Sequence, residues 1–169
     1  ALRGRIHWTS VDNTSPDGPV SPPPAGLWAP ADGSTPASGN YFYMQSDAGD
    51  YIGVGSTYTY TQANAVIGVT LNGAFLGVSV QGDQGWSADF QGMNGIPQLQ
   101  PGYYGNLQRY PFHNPVRGGL SVSGEGRGCN TLTGWFVVDS ISITNGSLSA
   151  IELRFEQHCE GAGPALRGK

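Results

Sequence analysis

The chain has 169 residues, the size of one domain with some additional segment. Only 12% of them are charged and the formal net charge is −4, which excludes the basic surface that nucleic-acid recognition needs. No stretch approaches the roughly 18 apolar residues of a membrane span, and no signal peptide is visible, so the sequence reads as cytosolic or already processed.

Residues 1–8, ALRGRIHW, alternate in character. Leu2, Gly4, Ile6 and Trp8 fall on one side, and Arg3, Arg5 and His7 on the other. That period of two predicts a strand with one face to bury. Residues 9–38 cannot bury it: seven of the chain's twelve prolines lie between Pro16 and Pro36, and Pro22-Pro23-Pro24 favours polyproline II. This stretch reads as a semi-rigid extended linker able to reach on the order of 90 Å. Leu27 and Trp28 are its exceptions, expected to dock on something.

From residue 39 onward the pattern is all-β. YFYMQSD predicts a strand, and YIGVGSTYTYT a second, irregular one. NAVIGVTL and AFLGVSVQ flank Asn72-Gly73, a strong hairpin signal because both residues tolerate positive φ. QGWSADFQ places Trp86, Ala88 and Phe90 on one face of a further strand. Residues 92–118 read as loop-rich. WFVVDSISIT and SLSAIELRFEQHC then pair around Asn145-Gly146. In the second of these, Ile151, Leu153, Phe155 and Cys159 share one parity and Glu152, Arg154 and Glu156 the other, an apolar-in, charged-out alternation. No segment has a helical period. Eight or nine strands predict a two-sheet antiparallel sandwich, jelly-roll-like or Ig-like, over residues 39–169.

Cys129 and Cys159 are far apart and form no CxxC pattern. In a Gly-, Ser- and Thr-rich chain with a single lysine they read as one structural disulfide, hence a secreted protein. The alternatives are two free buried thiols, or a metal site using His158 and Cys159, for which further ligands at sensible spacing are missing. The parity of Cys159 turns it toward the core, as a bridge from this strand to the Gly126–Asn130 loop requires. The segments GRGCNTLTG (Gly126 to Gly134) and FEQHCEG (Phe155 to Gly161) resemble modules of large secreted or surface proteins of bacteria. That resemblance covers about residues 40–169. It implies an extracellular β-sandwich repeat or filament module and little chemistry.

The two ends share a phrase. Ala1-Leu2-Arg3-Gly4 recurs as Ala165-Leu166-Arg167-Gly168, each followed by a basic residue, Arg5 or Lys169. Continued as the first copy continues, the second would complete an eight-residue strand. The match is either coincidence, or a front strand folding back on its own domain, or head-to-tail continuity, in which Leu2, Gly4, Ile6 and Trp8 of one unit complete the sheet that Ala165 and Leu166 begin in its neighbour. The last reading is favoured. Strand addition satisfies an open edge with main-chain hydrogen bonds, and a heterologous contact that does not close gives a filament. Separate subunits and tandem modules of one polypeptide fit equally.

Chemistry is thin. His7, His113 and His158 have no nucleophile motif beside them, and carboxylates such as Asp83, Asp89, Glu125 and Glu156 read as solvated, so no enzyme and no cofactor are expected. Asp47 and Asp50 in DAGDY are a weak calcium candidate, with a plain polar turn the favoured reading. Trp86, Tyr103, Tyr104 and Tyr110 could stack on sugar rings, so a carbohydrate-binding or adhesion module is the alternative function. Asn13-Thr14-Ser15 and Asn145-Gly146-Ser147 are N-glycosylation sequons, and Ser21, Ser34 and Thr35 sit among prolines in an O-glycosylation-like context. The leading expectation is an extracellular structural subunit or module, glycosylated on its linker, whose partners are neighbouring copies of itself.

Overall fold

The structure, a computed structural model, describes residues 18–169. Residues 1–8, most of the region before Pro19, and the candidates Leu2, Gly4, Ile6, Trp8, Asn13, Thr14 and Ser15 lie outside the described residues. The described chain is all-β. Its ten strands are β1 (Tyr41–Ser46), β2 (Thr57–Thr61), β3 (Val66–Asn72), β4 (Phe75–Gln81), β5 (Gly85–Gln91), β6 (Gly102–Arg109), β7 (Gly119–Gly124), β8 (Leu132–Thr144), β9 (Ser147–Cys159) and β10 (Leu166–Gly168). They form one mixed sheet, ordered β2-β1-β10-β9-β8-β6-β7-β5-β4-β3 and nearly closed into a barrel.

Two antiparallel runs of strands are joined by a short parallel link, Gln108↔Gly119 and Arg109↔Leu120. The link depends on β6, which lies within the stretch 92–118 expected to be loop-rich. β6 starts on β8, shifts register between Tyr104 and Leu107, and finishes on β7. Asn106 sits in the shift at φ 55°. A bulge of this kind bends and re-aims a strand. Gly105 and Asn106 also break the alternation that would have betrayed the strand in the sequence.

Both expected hairpins form. At Asn145-Gly146 both residues take positive φ, 53° and 77°, as a two-residue primed turn between β8 and β9 requires. At the first hairpin the turn falls one residue later than expected: Asn72 pairs with Phe75 as the last residue of β3, and Gly73-Ala74 make the turn. The irregular second strand splits, Tyr51–Gly55 forming turns and the strand beginning at Thr57.

The interior is aromatic. Phe90 packs against Phe136 and Phe155, and Tyr104 stacks on Phe136. Burial pushes the Tyr104 hydroxyl up to about 12, although its oxygen accepts from Gln100 N at 3.1 Å. Gln157 is buried among these groups for a reason visible in its bonds. Val122 N donates to Gln157 Oε1 at 2.8 Å, and Gln157 Nε2 donates to Val122 O at 2.9 Å. β6 pairs with β7 only at Gly119 and Leu120, so this amide stands in for a missing ladder partner. Cys129 and Cys159 are bonded, with their Cα atoms 5.1 Å apart, tying the end of β9 to the loop after β7.

Residues 18–40 hold no named strand, but they touch the body at several places. Val20 and Tyr103 exchange two backbone hydrogen bonds of 2.9 Å. Arg154 Nη1 donates to the Trp28 carbonyl at 2.7 Å, and Leu27 and Trp28 are half-buried. Arg154 also forks onto Asp139, which the bulge between Val138 and Ser140 pushes out of the ladder.

Candidate functional site

The feature that stands out is the slot around β10. After Cys159 the chain turns back, with His158 Nδ1 3.0 Å from the Gly163 carbonyl, and inserts β10 between β1 and β9. Alternation in ALRGK then does what a central strand needs. Ala165 and Leu166 are wholly buried, and Gly168 lies directly over Phe155. A Cβ on Gly168 would sit 2.4 Å from the Phe155 ring and 2.7 Å from the Tyr43 carbonyl oxygen, so only glycine fits.

The opposite parity is polar and charged. Arg167 donates from Nη1 to Asp47 at 2.7 Å and from Nε to Glu156 at 2.6 Å. The Arg167 hydrogen bond holds the Asp47 carboxyl below its ordinary value. Burial alone would raise Glu156, but hydrogen bonds from Arg167 and His158 outweigh it and hold that carboxyl down as well. Lys169 pairs with Glu152. The charged face of β9 carries Glu152, Arg154 and Glu156, and its two carboxylates take the basic residues Lys169 and Arg167 of the neighbouring strand.

β10 is much shorter than the strands beside it. Its ladder with β1 continues to Lys169, where Tyr43 N donates to Lys169 O at 2.8 Å and Lys169 N to Tyr43 O at 2.9 Å. β1 runs on to Tyr41 and β9 back to Ser147. Among the described residues no strand lies between them there, and a groove of about 820 Å³ opens. Tyr41 and Phe42 form one wall, Ile151 and Leu153 the other, and Val69 and Val78 line it from across the sheet. Val69 is on the inward parity of β3, paired to Val78, yet it is 46% exposed. Among the described residues nothing covers its inward side fully.

The remaining candidates are placed differently. Asp47, half of the calcium candidate, is committed to β10, accepting from Arg167 and from Ala165 N. Asp50 is buried and accepts from Ser46 Oγ and Gly53 N, closing its own turn. Among the described residues no three His, Cys, Asp or Glu side chains converge as a metal site. Trp86 and Tyr104, two of the four sugar-stacking candidates, are buried core residues; Trp86 has Tyr58 at 4.8 Å and donates to Tyr60 Oη. Tyr103 covers Gly105, and Tyr110 is stacked between Phe75 and His113. The four aromatics therefore do not make a common flat platform. Asn145 and Ser21 are exposed, whereas Ser34 and Thr35 are half-buried, Ser34 Oγ donating to the Ala31 carbonyl. No helix of the described residues is long and apolar enough to cross a membrane.

Sequence reasoning singled out Ala165 and Leu166 by their repeat of Ala1-Leu2, and the structure places Leu166–Gly168 as a strand with Leu166 and Gly168 buried. Sequence reasoning missed Asp47 and Phe155 as the residues that read it. The one available signal was the alternation of Glu152, Arg154 and Glu156, whose charged row faces the basic parity of ALRGK. Comparison with family models, with curated proteins and with solved structures finds no match for this chain.

Proposed function

We propose that the protein is a structural module of an extracellular filament, assembled head-to-tail by strand complementation. The observation that carries this reading is the slot around β10: the three-residue strand Leu166–Gly168 between β1 and β9, with a groove of mixed apolar and polar lining, open among the described residues, continuing its line. An edge-paired but uncovered groove is the acceptor geometry of strand addition, in which main-chain bonds give affinity and alternate side chains give specificity. Residues 1–8 repeat the Ala-Leu-Arg-Gly of residues 165–168, follow it with Arg5 for Lys169, and carry Ile6-His7-Trp8 beyond. A donor at one end and an acceptor at the other make a heterologous contact that propagates. Separate subunits and successive modules of one polypeptide both satisfy this geometry.

In this reading the two antiparallel halves of the sheet act as the faces of a jelly-roll-like sandwich, of the kind the GRGCNTLTG and FEQHCEG segments resemble. The Cys129–Cys159 bridge fits an oxidising compartment. Glycans on the region before β1 and at the exposed Asn145 turn would decorate the filament surface. Electron microscopy of the intact chain and of a chain lacking residues 1–8 tests the proposal. Filaments from the first and none from the second are expected; filaments from both would sink it.

A further inference from the structure

The two copies of ALRG cannot occupy one slot together, and this constrains how assembly proceeds. We infer that the β10 slot is exchangeable: residues Ala1–Trp8 of a second copy enter it in the register of Ala165–Lys169, displace that segment, and carry Ile6 and Trp8 into the groove beyond. The inference rests on the head-to-tail reading and names the register and the event that it leaves open.

The register follows from the ladder. Leu166, Arg167 and Gly168 lie opposite Gln157, Glu156 and Phe155 on β9, and opposite Ser46, Gln45 and Met44 on β1. Placed by sequence identity, Leu2 takes the buried Leu166 position and Arg3 the Arg167 position between Asp47 and Glu156. Gly4 passes over Phe155 where no Cβ fits, and Arg5 takes the place of Lys169 beside Glu152. One step on, Ile6 falls opposite Leu153 and Phe42. His7 then falls opposite Glu152 and Tyr41, and Trp8 opposite Ile151 and Asn40. Every one of these positions on β1 and β9 lines the groove. Strand parity turns Ile6 and Trp8 inward with Leu2 and Gly4, toward the uncovered Val69, and turns His7 outward to the Glu152 side.

Two features make exchange favourable in this direction. The donor repeats the Leu, Arg and Gly that β10 places between β1 and β9, with Arg5 where β10 has Lys169. It then adds two large apolar side chains to a groove that β10 stops short of. Eleven residues, Thr9–Pro19, separate Trp8 from the Val20–Tyr103 pairing, a reach of about 35 Å if extended. That reach permits entry into a second body and also closure onto the same one, so the test must separate them.

Two protein samples are mixed, one carrying Ile6→Cys and the other Leu153→Cys, and oxidised. The inference predicts a disulfide-linked pair of unlike chains, forming at least tenfold faster than the two-residue-shifted pair Ile6→Cys with Ile151→Cys. Equal rates for the two pairs overturn the register. Cross-linking within one chain, when both cysteines are on it at high dilution, in place of the mixed pair overturns the second copy as occupant. A peptide of residues 1–8 added to protein lacking them gives a readout independent of those variants. By hydrogen exchange, Leu153 gains protection while Leu166 and Gly168 of the host lose it; binding that leaves Leu166 and Gly168 protected overturns displacement. The same peptide with Gly4→Val is expected to bind at least tenfold more weakly. Filaments without the Ile6–Leu153 cross-link would sink this register and spare head-to-tail assembly, whereas the cross-link in pairs that never elongate would support the register and sink the filament.

Discussion

Gly168→Ala tests the slot in its most sensitive place. The new Cβ would lie 2.4 Å and 2.6 Å from two Phe155 ring carbons and 2.7 Å from the Tyr43 oxygen. Ordinary contact begins near 3.4 Å, so ring and strand must separate by about 1 Å. Phe155 cannot yield freely, because it is buried with its ring 5.6 Å from that of Phe90. Overpacking of this kind costs about 1–3 kcal/mol. The other escape, lifting β10, uncovers Leu166 and breaks the Arg167 pairs, which places the cost toward the upper end. For a chain of this length each kcal/mol lowers Tm by about 2–4 °C, so a drop of about 4–12 °C is expected. Thermal unfolding followed by circular dichroism measures it, with Gly163→Ala as control, since nothing lies within 4 Å of a Cβ there. A Gly168→Ala protein that melts within 1 °C of the parent would refute the close packing of β10 on Phe155.

Other outcomes follow from the same contacts. Gln157→Leu leaves the buried Val122 N–H and C=O unpaired and should destabilise by about 2–5 kcal/mol, read from the denaturant midpoint. Replacing both Cys129 and Cys159 by serine opens a 30-residue loop and should cost about 3 kcal/mol, seen as a Tm drop that reducing agent no longer deepens. Asp47 and Glu156 are held down in the folded state, so their contribution is present above the ordinary carboxylate range and is lost as pH falls through their depressed values. Acid titration of stability should therefore be steeper below about pH 5 for the parent than for Arg167→Gln, and equal slopes would count against the ion-pair account. Arg154→Ala frees the Trp28 carbonyl and should speed proteolysis within residues 18–40, while costing only about 1 kcal/mol of stability because the Asp139 pair is near the surface.

The sequence made much of this legible where period and turn chemistry agreed. β5 shows its buried Trp86, Ala88 and Phe90, β9 its apolar parity, and the β8–β9 hairpin its Asn145-Gly146 turn. Legibility failed where one strand serves two neighbours. β6 bends between β8 and β7, and the residues that permit the bend erase its alternation. The first hairpin slipped by one residue because Gly73 alone needs positive φ, leaving Asn72 free to stay in the ladder. Tyr104 was hidden for a related reason: it stands beside Gly105 in a glycine-punctuated stretch, but β6 points it inward. At the slot, the repeated ALRG and its parity could be read directly. Asp47 could not, because it meets Arg167 across 120 residues of chain, and nothing local in DAGDY marks that partnership.

Head-to-tail complementation is tested most directly by separating donor from acceptor. One sample lacks residues 1–8 and keeps an open groove; the other keeps residues 1–8 and has its groove blocked by Leu153→Arg. Light scattering should find each alone near the single-chain mass of 17.7 kDa. Their mixture should give a one-to-one complex of about twice 17.7 kDa that grows no further. Two samples that ignore each other, or a sample lacking residues 1–8 that still polymerises, would contradict the account.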